Sequence, residues 1–170
     1  MSASVITRTQ DYSMDRLMHE MSREQVLEVF SDLPAPGPQE LDGEYAGHTF
    51  DGGDLELRAK RHAFFFDETS ERGAWVGKAY TSDQDGEGEG HNIFRRAGGQ
   101  LVRNYRFRTE IAKSPFDGRC SLMMYYRAYD NDLGAIDLLD EIRRLADGTY
   151  LGIYSATMGI DGFSLLKPGN

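Results

Sequence analysis

Arg103 has the sequence surroundings that point most directly to ligand chemistry. It lies in a predicted strand, Leu101–Lys113, where strict alternation places it on the same face as Tyr105 and Phe107. A guanidinium on a mostly apolar face must be paired or must reach an opening. The pattern therefore predicts that Arg103 holds a carboxylate or enolate of a ligand, with Tyr105 and Phe107 beside it. The alternative is an arginine at a barrel rim whose head reaches water.

His91 and Asn92 directly follow the acidic segment Asp83–Glu89. An imidazole titrates close to neutral pH, so His91 is a candidate general acid or base. His91 and Arg103 would then be a catalytic pair, in which one moves a proton and the other holds an enolate charge. Asn92 is a candidate ligand contact. The alternative is that His91 is an ordinary surface residue.

Trp75 is the only tryptophan and lies in the predicted strand Gly73–Tyr80. Alternation places small residues, Gly77 among them, on the face of Trp75, which leaves room for a large ring or for a ligand packed against it. Trp75 is therefore either the core aromatic of a barrel end or a wall of a ligand pocket. Lys78 and Tyr80, in the same strand, are candidate ligand contacts, and Lys78 could also hold a developing negative charge.

Asp140 and Arg143 lie in a segment, 136–145, whose apolar residues recur at helical spacing. This spacing predicts a helix that ends near Gly148 and precedes the last strands. Positions three apart on a helix can pair, and a helix that closes a barrel would make Asp140 and Arg143 candidate site residues. Tyr126 is a further candidate, because it is one of several C-terminal tyrosines that could hydrogen-bond a ligand.

Short strands separated by Asp-Gly and Gly-Gly turns are predicted from residue 41 onward. They lie near Leu41–Phe50, Arg61–Phe66, Gly73–Tyr80, His91–Arg96, Leu101–Lys113, Arg119–Tyr129, Thr149–Met158 and Gly162–Leu166. Strands joined by tight turns favour a closed meander. The prediction is a mainly β protein, an antiparallel β-barrel of eight to ten strands with N-terminal helices and one helix before the last strands.

Residues 1–40 are predicted to form a helical strap with a proline-rich connector, ahead of a barrel domain at 41–170. Helical spacing begins at Ser13, and Ser22-Arg23-Glu24-Gln25 is typical of a capping box that opens a second short helix. Three prolines between positions 34 and 38 end that helix and stiffen the connector.

The charge balance bears on the partners. The chain has 170 residues, 19 Lys and Arg against 28 Asp and Glu, and a formal net charge of −9. An acidic chain is a poor partner for nucleic acid or for an anionic membrane. No apolar run approaches the roughly 18 residues of a membrane span, and Cys120, the only cysteine, excludes an intramolecular disulfide. We therefore expect a cytoplasmic protein with no nucleic-acid or membrane partner.

Neither a metal nor a cofactor is predicted. His19, His48 and His62 show no ligand spacing with one another. The acidic segment Asp83–Glu89 lacks the closing glutamate of a calcium loop. The chain contains no P-loop, no complete dinucleotide fingerprint and no nucleophile elbow.

Two parts of the chain carry a family pattern. Gly73–Gly77 reads Gly-Ala-Trp-Val-Gly, and Leu41–Gly47 has a related pattern with Tyr45 at the aromatic position. Between Val102 and Leu166, the matching residues are Tyr125, Ile136, Asp140, Arg143, Asp147, Leu151, Gly152 and Phe163. These segments resemble an uncharacterised bacterial family named for its GXWXG signature, together with the domain of unknown function that commonly accompanies it. The resemblance implies a lipocalin-like β-barrel and brings no established activity.

Three functions are compatible with these observations. Nine Phe, nine Tyr and one Trp, with Arg103 on an apolar face, favour a barrel that binds a small apolar or aromatic molecule, with or without a carboxylate. The second is a cofactor-independent lyase, isomerase or cyclase acting on such a molecule. The third is an interaction protein with a packed barrel that forms a homodimer.

Overall fold

Eight antiparallel strands close into a barrel in the computed structural model, which describes residues 12–50, 55–156 and 160–169. The strands are β1 Gly43–Phe50, β2 Ala74–Ser82, β3 Gly88–Arg95, β4 Leu101–Lys113, β5 Cys120–Tyr125, β6 Leu139–Ala146, β7 Thr149–Ser155 and β8 Gly162–Pro168. Each strand pairs with the next along the chain, and β1 pairs with β8 to complete the ring. The predicted antiparallel barrel is confirmed.

The turn predicted at Gly98-Gly99 is where the chain reverses between β3 and β4, whereas the predicted Asp51-Gly52-Gly53 turn lies outside the described residues. Gly98 and Gly99, between β3 and β4, both have φ of 89°, a left-handed conformation that residues with a Cβ rarely adopt. Pairing beside this turn runs from Arg95 opposite Leu101. A tight connection of this kind needs only local sequence, which is why it could be predicted.

Helix α1, Arg23–Asp32, begins at the predicted capping box. The Gln25 backbone N–H donates to the Ser22 hydroxyl at 3.3 Å, and the Ser22 N–H donates to the Gln25 side chain at 2.8 Å. A π-helical segment, Arg16–Glu20, precedes it, so the predicted N-terminal helices are present. The apolar side of α1, including Phe30, packs on the outer face of β7 and β8 and forms a second core outside the barrel.

The helix predicted over 136–145 is wrong, because from Leu139 onward this segment is strand β6. Only a single helical turn, α3 (Asp132–Ala135), precedes it. Strand β6 is buried on both sides, by the barrel interior and by α1, so Asp140 faces inward while Glu141 and Arg143 face outward, all three at most 8% exposed. A strand with two buried faces loses the alternation of polar and apolar residues that would have identified it.

The strand predicted at Arg61–Phe66 is also wrong, because these residues belong to helix α2, Leu55–Phe66. The three phenylalanines that end α2 pack against the cluster of buried residues inside the barrel. None of the helices in the described part of the chain is long and apolar enough to cross a membrane.

The two halves of the barrel interior are filled differently. In one half the rings of Tyr45, Tyr80 and Tyr150 pack edge to face, with centroids 6.0 Å apart for Tyr45–Tyr80 and 5.5 Å for Tyr45–Tyr150. The Tyr150 hydroxyl donates to the Glu40 carboxylate at 3.0 Å. These tyrosines close that half, and the free volume lies in the other half, under α2 and α3.

Candidate functional site

A β-bulge in β2 brings Trp75 and Lys78 to the same face. Trp75 pairs with Phe94 of β3, whereas Gly77 pairs with the next residue, Ile93, so Val76 is the extra residue. Both Trp75 and Lys78 therefore point into the barrel although they lie three positions apart. The prediction that Gly77 lies on the same face as Trp75 is wrong, because the bulge interrupts the strict alternation of side chains.

The Trp75 ring has space because of a glycine on the neighbouring strand. A Cβ at Gly47 of β1 would lie 2.3 Å from the Trp75 ring, closer than atoms can approach. The indole N–H donates to the side-chain oxygen of Asn92 at 2.9 Å, which fixes the orientation of the ring. Trp75 thus forms one wall of the interior, held by β1 on one side and β3 on the other.

Lys78 is a buried lysine, 4% exposed, that uses all three of its hydrogen-bond donors. Its Nζ donates to the Tyr126 hydroxyl at 2.6 Å, to the Asp140 Oδ2 at 2.8 Å and to the Asn92 Oδ1 at 2.9 Å. Lys78 and Asn92 are directly opposite on β2 and β3, while Asp140 reaches across the interior from β6. The ion pair compensates the charge that burial would otherwise disfavour.

Tyr126 and Asn92 complete this polar network. The Asn92 amide donates to the Tyr126 hydroxyl at 2.9 Å, and that hydroxyl donates to the Asp140 Oδ2 at 3.1 Å. Burial, and next the charge of Asp140, raise the pKa of Tyr126 well above its usual value, so the phenol keeps its proton at neutral pH. The other carboxylate oxygen, Asp140 Oδ1, is buried and has no hydrogen-bond partner among the described residues.

The network forms one side of a cavity of about 410 Å³. Trp75, Lys78, Asn92, Tyr126 and Asp140 all line it. Much of the remaining wall is apolar and includes Phe64, Phe65, Phe66, Leu133, Leu138 and Tyr154. A volume of this size accommodates a small organic molecule, and an apolar wall with one convergent polar group is typical of ligand sites.

Arg72 holds the end of α2 against the barrel. Its guanidinium lies 3.9 Å from the centroid of the Phe64 ring and donates to the backbone carbonyl of Phe64. It also donates to the Tyr105 hydroxyl at 2.7 Å. Sequence reasoning missed the three phenylalanines of α2 as cavity residues, since it assigned them to a strand. The consecutive aromatic run was the signal that could have drawn attention to them.

The premise that Arg103 faces the barrel interior is wrong. In β4 Asn104 pairs with Asn92 but Phe107 pairs with Gly90, so one extra residue lies between them, at Tyr105, whose φ is 50°. The bulge reverses the alternation, so that Tyr105 and Phe107 face inward while Arg103 faces outward. There Arg103 is more than half exposed and pairs with the carboxylate of Glu44.

His91 also lies on the outer face, since its neighbour Asn92 faces inward. His91 and Arg103 line a shallow groove on the outside of β1–β4, together with Glu44. Neither side chain lines the interior cavity, so the structure does not bring the predicted catalytic pair to the site that the other candidates form.

The remaining candidates lie at different distances from the cavity. Tyr80 and Phe107 pack below it, with ring centroids 5.6 Å apart, and Phe107 contacts the ring of Tyr126 at 5.4 Å. Tyr105 packs beside Phe64, with centroids 5.9 Å apart. These three rings support the walls without lining the cavity.

Arg143 is fully buried outside the barrel and does not pair with Asp140, because strand positions three apart face opposite sides. It donates to both carboxylate oxygens of Asp117, at 2.7 and 2.6 Å, and to the backbone carbonyl of Phe30 at 2.9 Å. Its Nε donates to the Ser121 hydroxyl at 2.8 Å. Arg143 therefore ties α1 and the β4–β5 turn to the barrel wall and is remote from the cavity chemistry.

Within residues 12–50, 55–156 and 160–169, no group of three His, Cys, Asp or Glu side chains could hold a metal ion. The polar network on the cavity wall consists of the Lys78–Asp140 pair and the two residues that hydrogen-bond to it, Asn92 and Tyr126.

Fold and cavity together describe a lipocalin-like barrel with an internal polar network. The chain matches no protein-family model, and it matches no curated protein. It is similar to a solved structure, described as a crystal structure of a protein from Thermomonospora curvata. That similarity has a TM-score of 0.61 and 21% sequence identity, and it covers 88% of this chain and 89% of the other. At this identity the similarity shows the fold alone.

Proposed function

We propose that this protein binds a small, largely apolar or aromatic molecule inside its barrel. The observation that carries the proposal is the cavity of about 410 Å³, which joins aromatic walls to one polar network. An interaction protein with a solidly packed barrel is the less favoured alternative, because the interior holds a cavity of about 410 Å³. The homodimer stays a prediction.

The reason for expecting a carboxylate on the ligand was a cation inside the barrel. Arg103, which was expected to hold it, pairs with Glu44 outside the barrel. Lys78, the buried lysine on the cavity wall, is already paired with Asp140 at 2.8 Å and has no donor left. An anionic group that took Lys78 as its partner would have to break a buried ion pair, at a cost of several kcal/mol. Lys60, which also lines the cavity, is exposed and pairs with Glu56.

Binding can be followed through Trp75, the only tryptophan in the chain and part of the cavity wall. We expect N-phenylnaphthylamine, a neutral aromatic dye, to bind at one saturable site and to change the Trp75 fluorescence. The variant Ala156→Phe places a ring in the cavity, because Ala156 lines it, and should weaken binding by about tenfold or more, equivalent to about 1.4 kcal/mol.

Ala97→Phe is the matched control, since Ala97 is exposed in the β3–β4 turn and should leave binding unchanged. Absence of saturable binding to the parent protein would contradict the proposal. So would equal affinities of the parent and Ala156→Phe.

A cofactor-independent enzyme is the second candidate. The observation in its favour is the free acceptor atom Asp140 Oδ1, which could take a proton from an acidic C–H bond beside Lys78 and Tyr126. Deuterium uptake from D2O into indanone, followed by mass spectrometry, tests this activity. The enzyme hypothesis requires uptake above the buffer rate, lost when Ala156→Phe fills the cavity. Uptake at the buffer rate leaves binding as the function.

A further inference from the structure

We propose that the ligand is a neutral molecule that donates an O–H or N–H hydrogen bond to Asp140 Oδ1. This inference rests on the proposed function, and it names the polar group of the ligand and the atom that receives it. It thereby separates alcohols, phenols and amides from carboxylates and from pure hydrocarbons.

The first step is an inventory of the polar network. Lys78 uses its three donors, and the Tyr126 hydroxyl accepts from Lys78 and Asn92 and donates to Asp140. The Asn92 oxygen accepts from both Trp75 and Lys78. The network is therefore saturated at every member except one oxygen of Asp140. A ligand donor can be received there without breaking any bond.

The second step is the position of that oxygen. Asp140 is 8% exposed and lines the cavity, and its Oδ1 has no partner in the described part of the chain. A buried carboxylate oxygen without a hydrogen bond is costly, and a donor supplied from the cavity removes that cost. Asp140 lines the cavity, although its Oδ1 has almost no exposed surface. A small shift of the carboxylate would bring this oxygen to a donor in the cavity, so the ligand is the natural source of the missing bond.

The third step concerns the charge of the ligand. Lys78 compensates the charge of Asp140, so the network carries no net charge for a ligand to neutralise. A carboxylate beside the network would face Asp140, and Lys78 has no donor left for it. An ammonium would face the charge of Lys78 in an apolar cavity. A neutral donor needs no compensating charge, and the aromatic walls suit an apolar body.

The test compares three probes with the same ring: naphthol, methoxynaphthalene and naphthoate, each substituted at the same ring position. Affinities are measured from the Trp75 fluorescence and by calorimetry. Because a hydrogen bond to a charged acceptor is worth a factor of about 10 to 100, naphthol should bind about 10- to 100-fold more tightly than methoxynaphthalene. Naphthoate should bind more weakly than naphthol.

A protein variant locates the acceptor. The double variant Lys78→Met, Asp140→Asn removes both charges together, so no buried charge is orphaned, and it should reduce the preference for naphthol over methoxynaphthalene to less than about threefold. Ser164→Ala is the control, because Ser164 is another polar residue on the cavity wall and its loss should leave the preference intact.

Each outcome has a distinct meaning. If none of the three probes binds the parent protein, the proposed function fails. If methoxynaphthalene binds as tightly as naphthol, or naphthoate binds most tightly, the cavity is a ligand site but the donor inference is overturned. It is also overturned if the double variant keeps the preference, or if Ser164→Ala abolishes it.

Discussion

Replacing Lys78 with methionine is expected to lower the free energy of unfolding by about 3–5 kcal/mol. Methionine fills a similar volume, but it leaves Asp140 as a buried carboxylate without its cation. The variant also removes donors from Tyr126 and Asn92, which accept from Lys78 at 2.6 and 2.9 Å. Chemical denaturation followed by far-UV circular dichroism measures the change without relying on Trp75, whose surroundings the variant alters.

Two comparisons give this result its meaning. Lys60→Met is the matched control, since Lys60 is 70% exposed and pairs with the exposed Glu56, so the loss should stay below about 1 kcal/mol. Adding Asp140→Asn to Lys78→Met removes the orphaned charge and should recover most of the stability. If Lys78→Met unfolds at the same denaturant concentration as the parent, the pair is not the compensated buried interaction described above.

Arg143→Met is expected to lower the free energy of unfolding by a similar amount, about 3–5 kcal/mol, for a different reason. Arg143 is fully buried and binds Asp117 through two hydrogen bonds while also holding the Phe30 carbonyl. Methionine removes the Arg143 donors, so that Asp117 keeps the Arg119 backbone N–H and the Phe30 carbonyl keeps the Leu33 N–H, and the connection between α1 and the barrel is released. Faster proteolysis within residues 12–33, compared with the parent, should accompany the lower unfolding free energy.

The loss of unfolding free energy in Arg143→Met should depend on pH. Hydrogen bonds from Arg143 lower the pKa of Asp117 below its usual value of 3.8. A lowered folded-state pKa stabilises the protein above the unfolded-state pKa, and this contribution is lost as the pH falls through the folded-state pKa. The difference between parent and Arg143→Met should therefore be largest at neutral pH and should narrow below about pH 4.

Arg119→Met is the control for this second prediction. Arg119 lies in the same region, but its side chain is half exposed; the guanidinium donates to the Ser31 carbonyl and lies 3.9 Å from the Asp32 carboxylate. Its replacement should change the free energy of unfolding by less than about 1 kcal/mol, and this difference from the parent should not depend on pH. A pH-independent loss in Arg143→Met would contradict the role assigned to the Asp117 pair.

Features that depend on short stretches of chain could be predicted. The bounds of Leu101–Lys113, the capping box at Ser22 and the glycine turn at 98–99 agree with the structure. Each depends on interactions between residues close in sequence, such as local alternation, a helix cap or a positive φ. For the same reason, the class of fold followed from the order of strands and turns.

Elements buried on two sides could not be predicted in this way. Strand β6 carries Asp140 toward the barrel interior and Arg143 toward α1, so polar and apolar residues occur on both faces. The apolar residues of the segment 136–145 recur at helical spacing, and the strand conformation of β6 depends on pairing with β5 and β7. Helix α2 was mistaken for a strand because an aromatic run is typical of strands.

The candidate site was predicted as a set of residue types but not as a place. Trp75, Lys78, Asn92, Tyr126 and Asp140 were all named from the sequence, but only Trp75 and Lys78 were placed in the same element. Lys78 and Asp140 are 62 positions apart and meet only because the barrel closes. Whether they act in binding is the prediction that the probe series tests.

Which basic side chain faces the cavity could not be predicted from local alternation. Alternation assigned Arg103 to the interior, and a single extra residue at Tyr105 sends it to the surface beside Glu44. A second bulge, at Val76, turns Trp75 and Lys78 to the same side. Side-chain alternation and turns follow from backbone geometry within a few residues, whereas bulges and strand register depend on hydrogen bonds to a partner strand. Only the closed barrel therefore decides which side chains share its cavity.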